Sequence, residues 1–171
     1  ILPILLKIIE IFYERKLNYK LIIFGEFKSI MLRVGRMSKE LLSKLIVIEP
    51  VPHHQMPLWL HIADVGLQIS LTGSCLGTKV AEFTLAKLPF VSACSRWKLC
   101  LNCKSSILVH GKNCLIVPLR PEDIANGLVK LLENHSLREN IKKNLEETSN
   151  YFDEGKLAKF WEKEIVKILN V

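Results

Sequence analysis

Residues 65–93 have the sequence VGLQISLTGSCLGTKVAEFTLAKLPFVSA, in which two short, largely apolar runs flank a polar loop and a stretch with helical spacing. The first run, Val65–Ile69, leads into a loop with two glycines, and the second, Phe90–Ala93, directly follows Pro89. Runs without strict alternation of polar and apolar residues are typical of strands that are covered on both faces. We therefore predict a strand, a helix and a second, parallel strand over these residues.

The same alternation continues on both sides of this stretch. Further apolar runs, each bounded by glycine or proline, lie at Leu21–Phe24, Leu45–Ile48 and Leu115–Val117. Strands that alternate with helical stretches indicate βαβ units and a parallel sheet. After Pro118 only helical patterns follow, the last of them from Gly155 onward. We predict an α/β fold: a single Rossmann-like domain over residues 1–171, with a parallel sheet flanked by helices and a helical C-terminal tail over residues 120–171.

The helices are predicted from apolar residues that recur on one face and from residue types that favour helix ends. Leu58 and Ile62 are predicted to lie on the inner face of one helix. Pro121 is placed in the first turn of a later helix, where its fixed backbone angle is favourable. Ser136 is predicted to cap the helix after that, with Glu139 as its capping-box partner.

The composition excludes several classes of protein. The chain has 171 residues, of which 49% are apolar and 24% are charged, so it is neither disordered nor collagen-like. Its 24 basic and 17 acidic residues give a formal charge of +7, which suits an anionic partner. The basic residues are spread along the chain without a dense run, so we predict no nucleic-acid partner.

No stretch of the sequence is predicted to cross a membrane. The most apolar candidate, Ile1–Tyr13, is interrupted by Lys7 and Glu10 and is shorter than the ~20 residues that a spanning helix needs. It also lacks the small residues of a signal-peptide cleavage site. We expect the chain itself to be soluble. Because it begins with Ile1 rather than methionine, a fragment of a longer protein is one expectation.

The loop at residues 70–79, SLTGSCLGTK, is the main candidate for a ligand site. In an open parallel sheet, ligands bind beyond the carboxyl ends of the strands. Backbone N–H groups at the start of the following helix favour a phosphate. Glu82 lies one turn into that helix and can accept hydrogen bonds from the two hydroxyls of a ribose. The pattern therefore indicates a nucleotide site.

A plainer alternative is open for the same residues. The loop has neither the Walker pattern nor the three-glycine dinucleotide fingerprint. It is also compatible with an ordinary turn from strand to helix, in which Thr78 caps the helix and Lys79 pairs with Glu82 at the surface. The residues taken alone favour this alternative.

Four segments in order resemble the C-terminal domain of the two-domain (GT-B) glycosyltransferases, which use nucleotide-sugar donors. They are LIVIEPVP at 45–52, LHIADVGL at 60–67, GTKVAEFTLAKLPFVS at 77–92 and HGKNCLIVP at 110–118. Within that superfamily the sequence is most similar to the inverting β-mannosyltransferases that act on chitobiosyl-diphosphodolichol. LGTKVAE at 76–82 and KKNLEETS at 142–149 carry this likeness, together with Phe152, Asp153 and Trp161.

The resemblance implies a function and a place of action. The parent enzyme would transfer mannose from GDP-mannose to a lipid-linked chitobiose on the cytosolic face of the endoplasmic reticulum membrane. The dolichol-linked acceptor would bind a second, N-terminal domain that this chain lacks, and no catalytic residue is assigned here. The alternatives left open are another nucleotide-sugar transferase of the retaining group and a degenerate, non-catalytic nucleotide-binding domain.

The resemblance also implies roles for individual residues. Glu82 would bind the donor ribose, and Val51 and Pro52 would border a guanine base. The residues implied to hold the diphosphate are Gly73, Ser74, Gly77, Thr78 and Lys79. No cofactor and no metal would be needed, since the helix N-terminus and basic residues stabilise the leaving diphosphate and the GDP-sugar is itself a substrate.

The five cysteines offer a competing interpretation. Cys100, Cys103, His110 and Cys114 have residue types that bind zinc, but their spacing matches no compact zinc knuckle. Buried cysteine commonly acts as a small hydrophobic residue. We therefore predict reduced thiols and no metal at these four residues. The adjacent pair His53 and His54 is predicted to lie in a surface turn.

Overall fold

The computed structural model describes residues 1–26, 38–71, 73, 75–103, 107–153, 155, 158, 159 and 162. Within them the chain forms five β-strands and seven α-helices. In chain order these are α1 Leu2–Glu14, β1 Leu21–Phe24, α2 Lys39–Leu42, β2 Leu45–Ile48, α3 Met56–His61, β3 Gly66–Ser70, α4 Thr78–Leu85, β4 Phe90–Cys94, α5 Trp97–Asn102, β5 Leu115–Pro118, α6 Pro121–Glu133 and α7 His135–Ser149. Two 3₁₀ turns cover His53–Gln55 and Asn150–Phe152.

The strands lie where the apolar runs predicted them, and every pairing between them is parallel. Strand β1 pairs with β2, with Leu21 opposite Leu45. Strand β4 lies between β3 and β5, with Val91 opposite both Leu67 and Leu115. The α/β fold with parallel pairing is therefore confirmed.

The strands of the described residues form two hydrogen-bonded sheets, a division that the predicted parallel sheet did not specify. One contains β1 and β2, and the other contains β3, β4 and β5 in that order. Strands β1 and β3 each pair along one edge only within these residues. The apolar runs could not reveal this division, since they mark strands but not which strands are neighbours.

The core lies around β4, which is buried at all five positions from Phe90 to Cys94. Helix α6 covers β4 and β5, and its buried residues include Ile124, Leu128 and Leu131. Helix α1 packs in turn on α6. As predicted, Pro121 is the first residue of α6, followed by acidic residues in the first turn, where the helix dipole favours them.

The predicted inner face of α3 is wrong. The side chains of Leu58 and Ile62 are 72% and 64% exposed, whereas Leu60 is buried. Residues four apart share one face of a helix, and a residue midway between them lies on the opposite side. In this six-residue helix the core accepts only the face that carries Leu60.

The predicted cap of α7 is also wrong. The helix begins at His135, and Asn134 is its N-cap, with a side-chain oxygen that accepts from the backbone N–H of Leu137 at 2.9 Å. Ser136 thus lies inside the first turn. Glu139 accepts from Lys142 at 2.9 Å instead of closing a capping box. Asparagine and serine are about equally good N-caps, so the sequence offered two starting points.

Two of the helical predictions lie largely or wholly outside the described residues. They are the C-terminal helix after Gly155, including Trp161, and the pattern through Met31 and Val34. Among the helices that are described, none has the length and hydropathy needed to span a bilayer.

Candidate functional site

The loop predicted to bind phosphate leads from β3 into α4, at the carboxyl end of its sheet. Helix α4 begins at Thr78, and Gly77 is its N-cap in an extended conformation. The N–H of Val80 donates to the carbonyl of Gly77 at 2.9 Å. Since glycine has no side chain, no side-chain oxygen of the described residues caps the first turn. Thr78 is therefore not the cap that the plainer alternative required.

Glu82 lies one turn into α4 and is partly buried. Its side chain is 16% exposed, and Lys79 Nζ lies 2.9 and 3.2 Å from its two oxygens. The surface pair of the plainer alternative therefore exists. Both carboxylate oxygens contact the Lys79 ammonium group, so the carboxylate does not point into the apolar core.

The turn after β2 also reaches Glu82. His53 Nε2 lies 3.8 Å from Glu82 Oε1, while the His53 side chain as a whole is 89% exposed. Val51 is half-buried and Pro52 exposed, and the carbonyl of Pro52 accepts from the N–H of Gln55 at 2.9 Å. The structure thus brings the segment predicted to border the base next to the residue predicted to bind the ribose. His53 was expected only in a surface turn, and its position directly after Pro52 was the available signal.

A cation that the sequence analysis missed lies against the loop. Gly73 has φ +87°, in the left-handed region that favours glycine, and a Cβ built on it would lie 3.0 Å from Arg96 Cδ. The stem of Arg96 therefore packs on the loop backbone at Gly73. Arg96 follows β4 at the same end of the sheet as the loop. The rule on strand ends, applied to β4 as well as to β3, would have identified it.

A buried amide supports the loop from below. Gln68 in β3 is only 8% exposed, and its Nε2 lies 2.6 Å from the position that a Cβ at Gly77 would occupy. Ser92 Oγ in β4 donates to the carbonyl of Cys75 at 3.2 Å. Ser92 thus ties the loop to β4 by a hydrogen bond, and the Gln68 side chain of β3 packs closely against Gly77. Gln68 and Ser92 are polar residues within otherwise apolar runs, and this interruption is the sequence signal that points to them. Thr72 and Ser74, the latter a predicted diphosphate ligand, lie outside the described residues.

The cysteines group differently from the set considered in the sequence. All five are thiols. Two members of the set considered in the sequence have other roles. His110 accepts through Nδ1 from the N–H of Ile116 at 3.0 Å. Cys114 is buried, and this burial raises the pKa of its thiol to about 12. In the described part of the chain, the only group of three possible metal ligands instead comprises Cys75, Cys94 and Cys100.

Comparison with known proteins supports the architecture. No family model and no curated protein matches the sequence. Among solved structures, a glycosyltransferase from Rickettsia africae is 14% identical to this chain with a TM-score of 0.72. The match covers 97% of this chain and 44% of the Rickettsia chain. HepE from Anabaena, solved in complex with UDP, is 18% identical with a TM-score of 0.65. This match covers 89% of the present chain and 41% of the HepE chain.

A third similar structure is itself a single domain. The C-terminal domain of LpcC, a group 1 glycosyl transferase from Francisella tularensis, is 16% identical with a TM-score of 0.64, over 86% of this chain and 76% of that one. The chain thus spans less than half the length of the first two structures that it matches. Its fold is similar to that of the LpcC C-terminal domain and to part of each of the two larger glycosyltransferase structures.

Proposed function

We propose that this chain is the donor-binding half of a glycosyltransferase that uses a nucleotide sugar. One observation carries the proposal: three segments that follow parallel strands meet at the start of α4. The turn after β2 reaches Glu82 through His53, the loop after β3 leads into the helix, and the residues after β4 place Arg96 on Gly73. Open α/β sheets bind ligands in this position. The fold shared with glycosyltransferases supports the same assignment.

The residues have complementary roles in this proposal. Glu82 accepts hydrogen bonds from the ribose hydroxyls, and Val51 and Pro52 border the base. The diphosphate is held by the backbone amides of Gly73, Ser74, Gly77 and Thr78 together with Lys79 and Arg96. Charge that develops on the leaving diphosphate is stabilised by the helix N-terminus and by these two cations. The transfer therefore requires no metal ion at the diphosphate.

The finer form of the proposal names GDP-mannose as donor and a dolichol-linked chitobiose as acceptor, with inversion at the anomeric carbon. The order of sequence segments supports it, and it places the parent enzyme on the cytosolic face of the endoplasmic reticulum membrane. The rival donor is a UDP-sugar, because HepE was solved with UDP and with UDP-glucose. In a two-domain transferase the acceptor binds the other domain, so we expect this chain alone to transfer no sugar.

Isothermal titration calorimetry with GDP, UDP and ADP tests the proposal. We expect weak binding of GDP that exceeds binding of the other two. Tighter binding of UDP would reject guanine and leave the nucleotide-sugar proposal standing. If none of the three nucleotides binds, the donor site is rejected, and the degenerate, non-catalytic alternative replaces it.

The substitution Glu82→Gln tests the assigned ribose contact. A carboxylate accepts hydrogen bonds more strongly than an amide, so we expect a loss of affinity of about 1.4 kcal/mol, or roughly tenfold. Glu139→Gln is the matched control, because Glu139 also pairs with a lysine three residues away at 2.9 Å but lies on α7. Equal affinities for the two variants would remove Glu82 from the site.

A further inference from the structure

Three thiols from different elements converge beneath the loop that precedes α4. Cys75 belongs to the loop, Cys94 ends β4, and Cys100 lies in α5. Their sulfur atoms all lie within 4.8 Å of one another, and the sulfurs of Cys94 and Cys100 are 3.5 Å apart. Cys75 and Cys94 are buried, whereas Cys100 is partly exposed.

This spacing is close to that of thiolates bound to one metal ion. With zinc–sulfur bonds of about 2.3 Å, two sulfurs in a tetrahedral site lie about 3.8 Å apart. The Cys94–Cys100 separation is shorter than this value, and the largest separation in the group exceeds it by no more than about an ångström. Small changes of side-chain rotamer are therefore enough to bring all three sulfurs onto a common ion.

We propose that Cys75, Cys94 and Cys100 form a binding site for a thiophilic d¹⁰ cation such as Zn²⁺, with three thiolate ligands and a water molecule in the fourth position. Each thiol releases its proton to solvent as its sulfur–metal bond forms, and no oxidation state changes. The ion and the water enter from the side of Cys100, which is the only partly exposed member of the cluster. The site is separate from the four residues that the sequence pattern suggested, since only Cys100 belongs to both sets.

The surroundings of the cluster suit a bound cation. Three thiolates and one divalent cation carry a net charge of −1, and the cationic side chain of Arg96 packs at Gly73 on the same loop that carries Cys75. A bound ion would join the loop, β4 and α5 at one point.

Titration of the reduced chain with Cd²⁺, in a non-thiol reductant, tests the proposal. Cadmium–thiolate bonds absorb in the ultraviolet, so we expect a band that saturates at one equivalent and a higher melting temperature of the loaded chain. Metal analysis of the chain purified without chelator is expected to find zinc. Cys100→Ser is expected to weaken Cd²⁺ binding at least about tenfold, because loss of a ligand should cost no less than loss of its supporting hydrogen bond.

Two control variants separate ligation from general damage. Cys103→Ser alters an exposed cysteine and Cys114→Ala a buried one, and neither belongs to the cluster. Both are expected to retain the absorption band, and Cys75→Ala is expected to lose it while remaining folded by circular dichroism. The proposal is overturned if the reduced wild-type chain gives no cadmium–thiolate band. It is also overturned if Cys103→Ser weakens binding as much as Cys100→Ser does.

Discussion

Thr84 and Thr148 are both buried, but their hydroxyl groups differ in hydrogen bonding. Thr148 Oγ1 accepts from Asn113 Nδ2 at 2.9 Å and donates to the carbonyl of Asn144 at 2.8 Å. Thr84 Oγ1 has no hydrogen-bond partner among the described residues. A buried polar group without a partner costs stability, so its removal is favourable.

The substitution Thr84→Val is therefore expected to raise the free energy of unfolding by about 1 kcal/mol, since valine has nearly the same shape and no hydroxyl. Thr148→Val is expected to lower it by about 1–3 kcal/mol, because the buried Asn113 amide then loses an acceptor. Urea denaturation measures both values. A destabilising Thr84→Val would mean that the hydroxyl has a partner in solution.

The residues of the candidate site divide into those that sequence spacing could find and those that it could not. Lys79 and Glu82 are three apart on one helix, so their proximity followed from helical geometry alone. Arg96 and His53 reach the site from other strands. The apolar runs mark where those strands end, but they do not show that the ends of β2 and β4 lie beside the start of α4.

The connection from α1 to β1 is held by a tyrosine. The Tyr19 hydroxyl donates a hydrogen bond to the carbonyl of Ile9 at 2.9 Å. Its ring packs edge-on against the ring of Phe12, with the two ring centroids 4.7 Å apart. Lys44 Nζ lies 5.7 Å from the ring centroid. Burial raises the pKa of Tyr19 to about 12, above its ordinary value of 10.0. The folded chain therefore holds this proton more tightly than the unfolded chain does.

This shift predicts a loss of stability at high pH. The contribution of the Tyr19 proton is complete below about pH 10 and declines as the pH rises toward about 12, where the folded form also ionises. The difference in unfolding free energy between wild type and Tyr19→Phe is thus expected to shrink between about pH 9 and about pH 11. Urea titrations at both pH values measure it, with Tyr13→Phe as the control for an exposed phenol. A constant difference would contradict the prediction.

At the level of elements, the runs that are apolar throughout were the most predictable. Phe90–Cys94 is buried on both faces, so pattern and structure coincide. Helix ends and the buried faces of short helices were harder to predict, because several nearby residues are equally suitable as a cap or as a buried position. Asn134 and Ser136 can both cap α7, and in α3 only contact with the core selects Leu60 over Leu58 as the buried residue.

For the molecule as a whole, the division into two sheets predicts unequal local stability. The four residues of β1 are all half-buried, whereas all five of β4 are buried between two neighbouring strands. The smaller sheet therefore has less buried surface to lose when it opens. Regions with few buried contacts exchange their amide hydrogens through low-energy openings.

Hydrogen exchange is expected to show this difference. The N–H groups of Leu21 and Gly25 donate to the carbonyls of Lys44 and Ile48 at 2.8 and 2.9 Å. We nevertheless expect the protection of these two amides against exchange to be at least about tenfold below that of the Val91 amide. Val117 on β5 is the control, because it lies in an outer strand but is buried. Equal protection in the two sheets would mean that they open together.

The position of the candidate site between the sheets has a consequence for evolution and engineering. A nucleotide that touches Pro52 on one side and Glu82 on the other would bridge two sheets that share no hydrogen bonds among the described strands. Part of its affinity would then be used to hold the sheets in mutual alignment. Substitutions that change how the two sheets align would tune ligand affinity without altering any ligand contact, so selection for tighter binding would also act on residues far from the ligand.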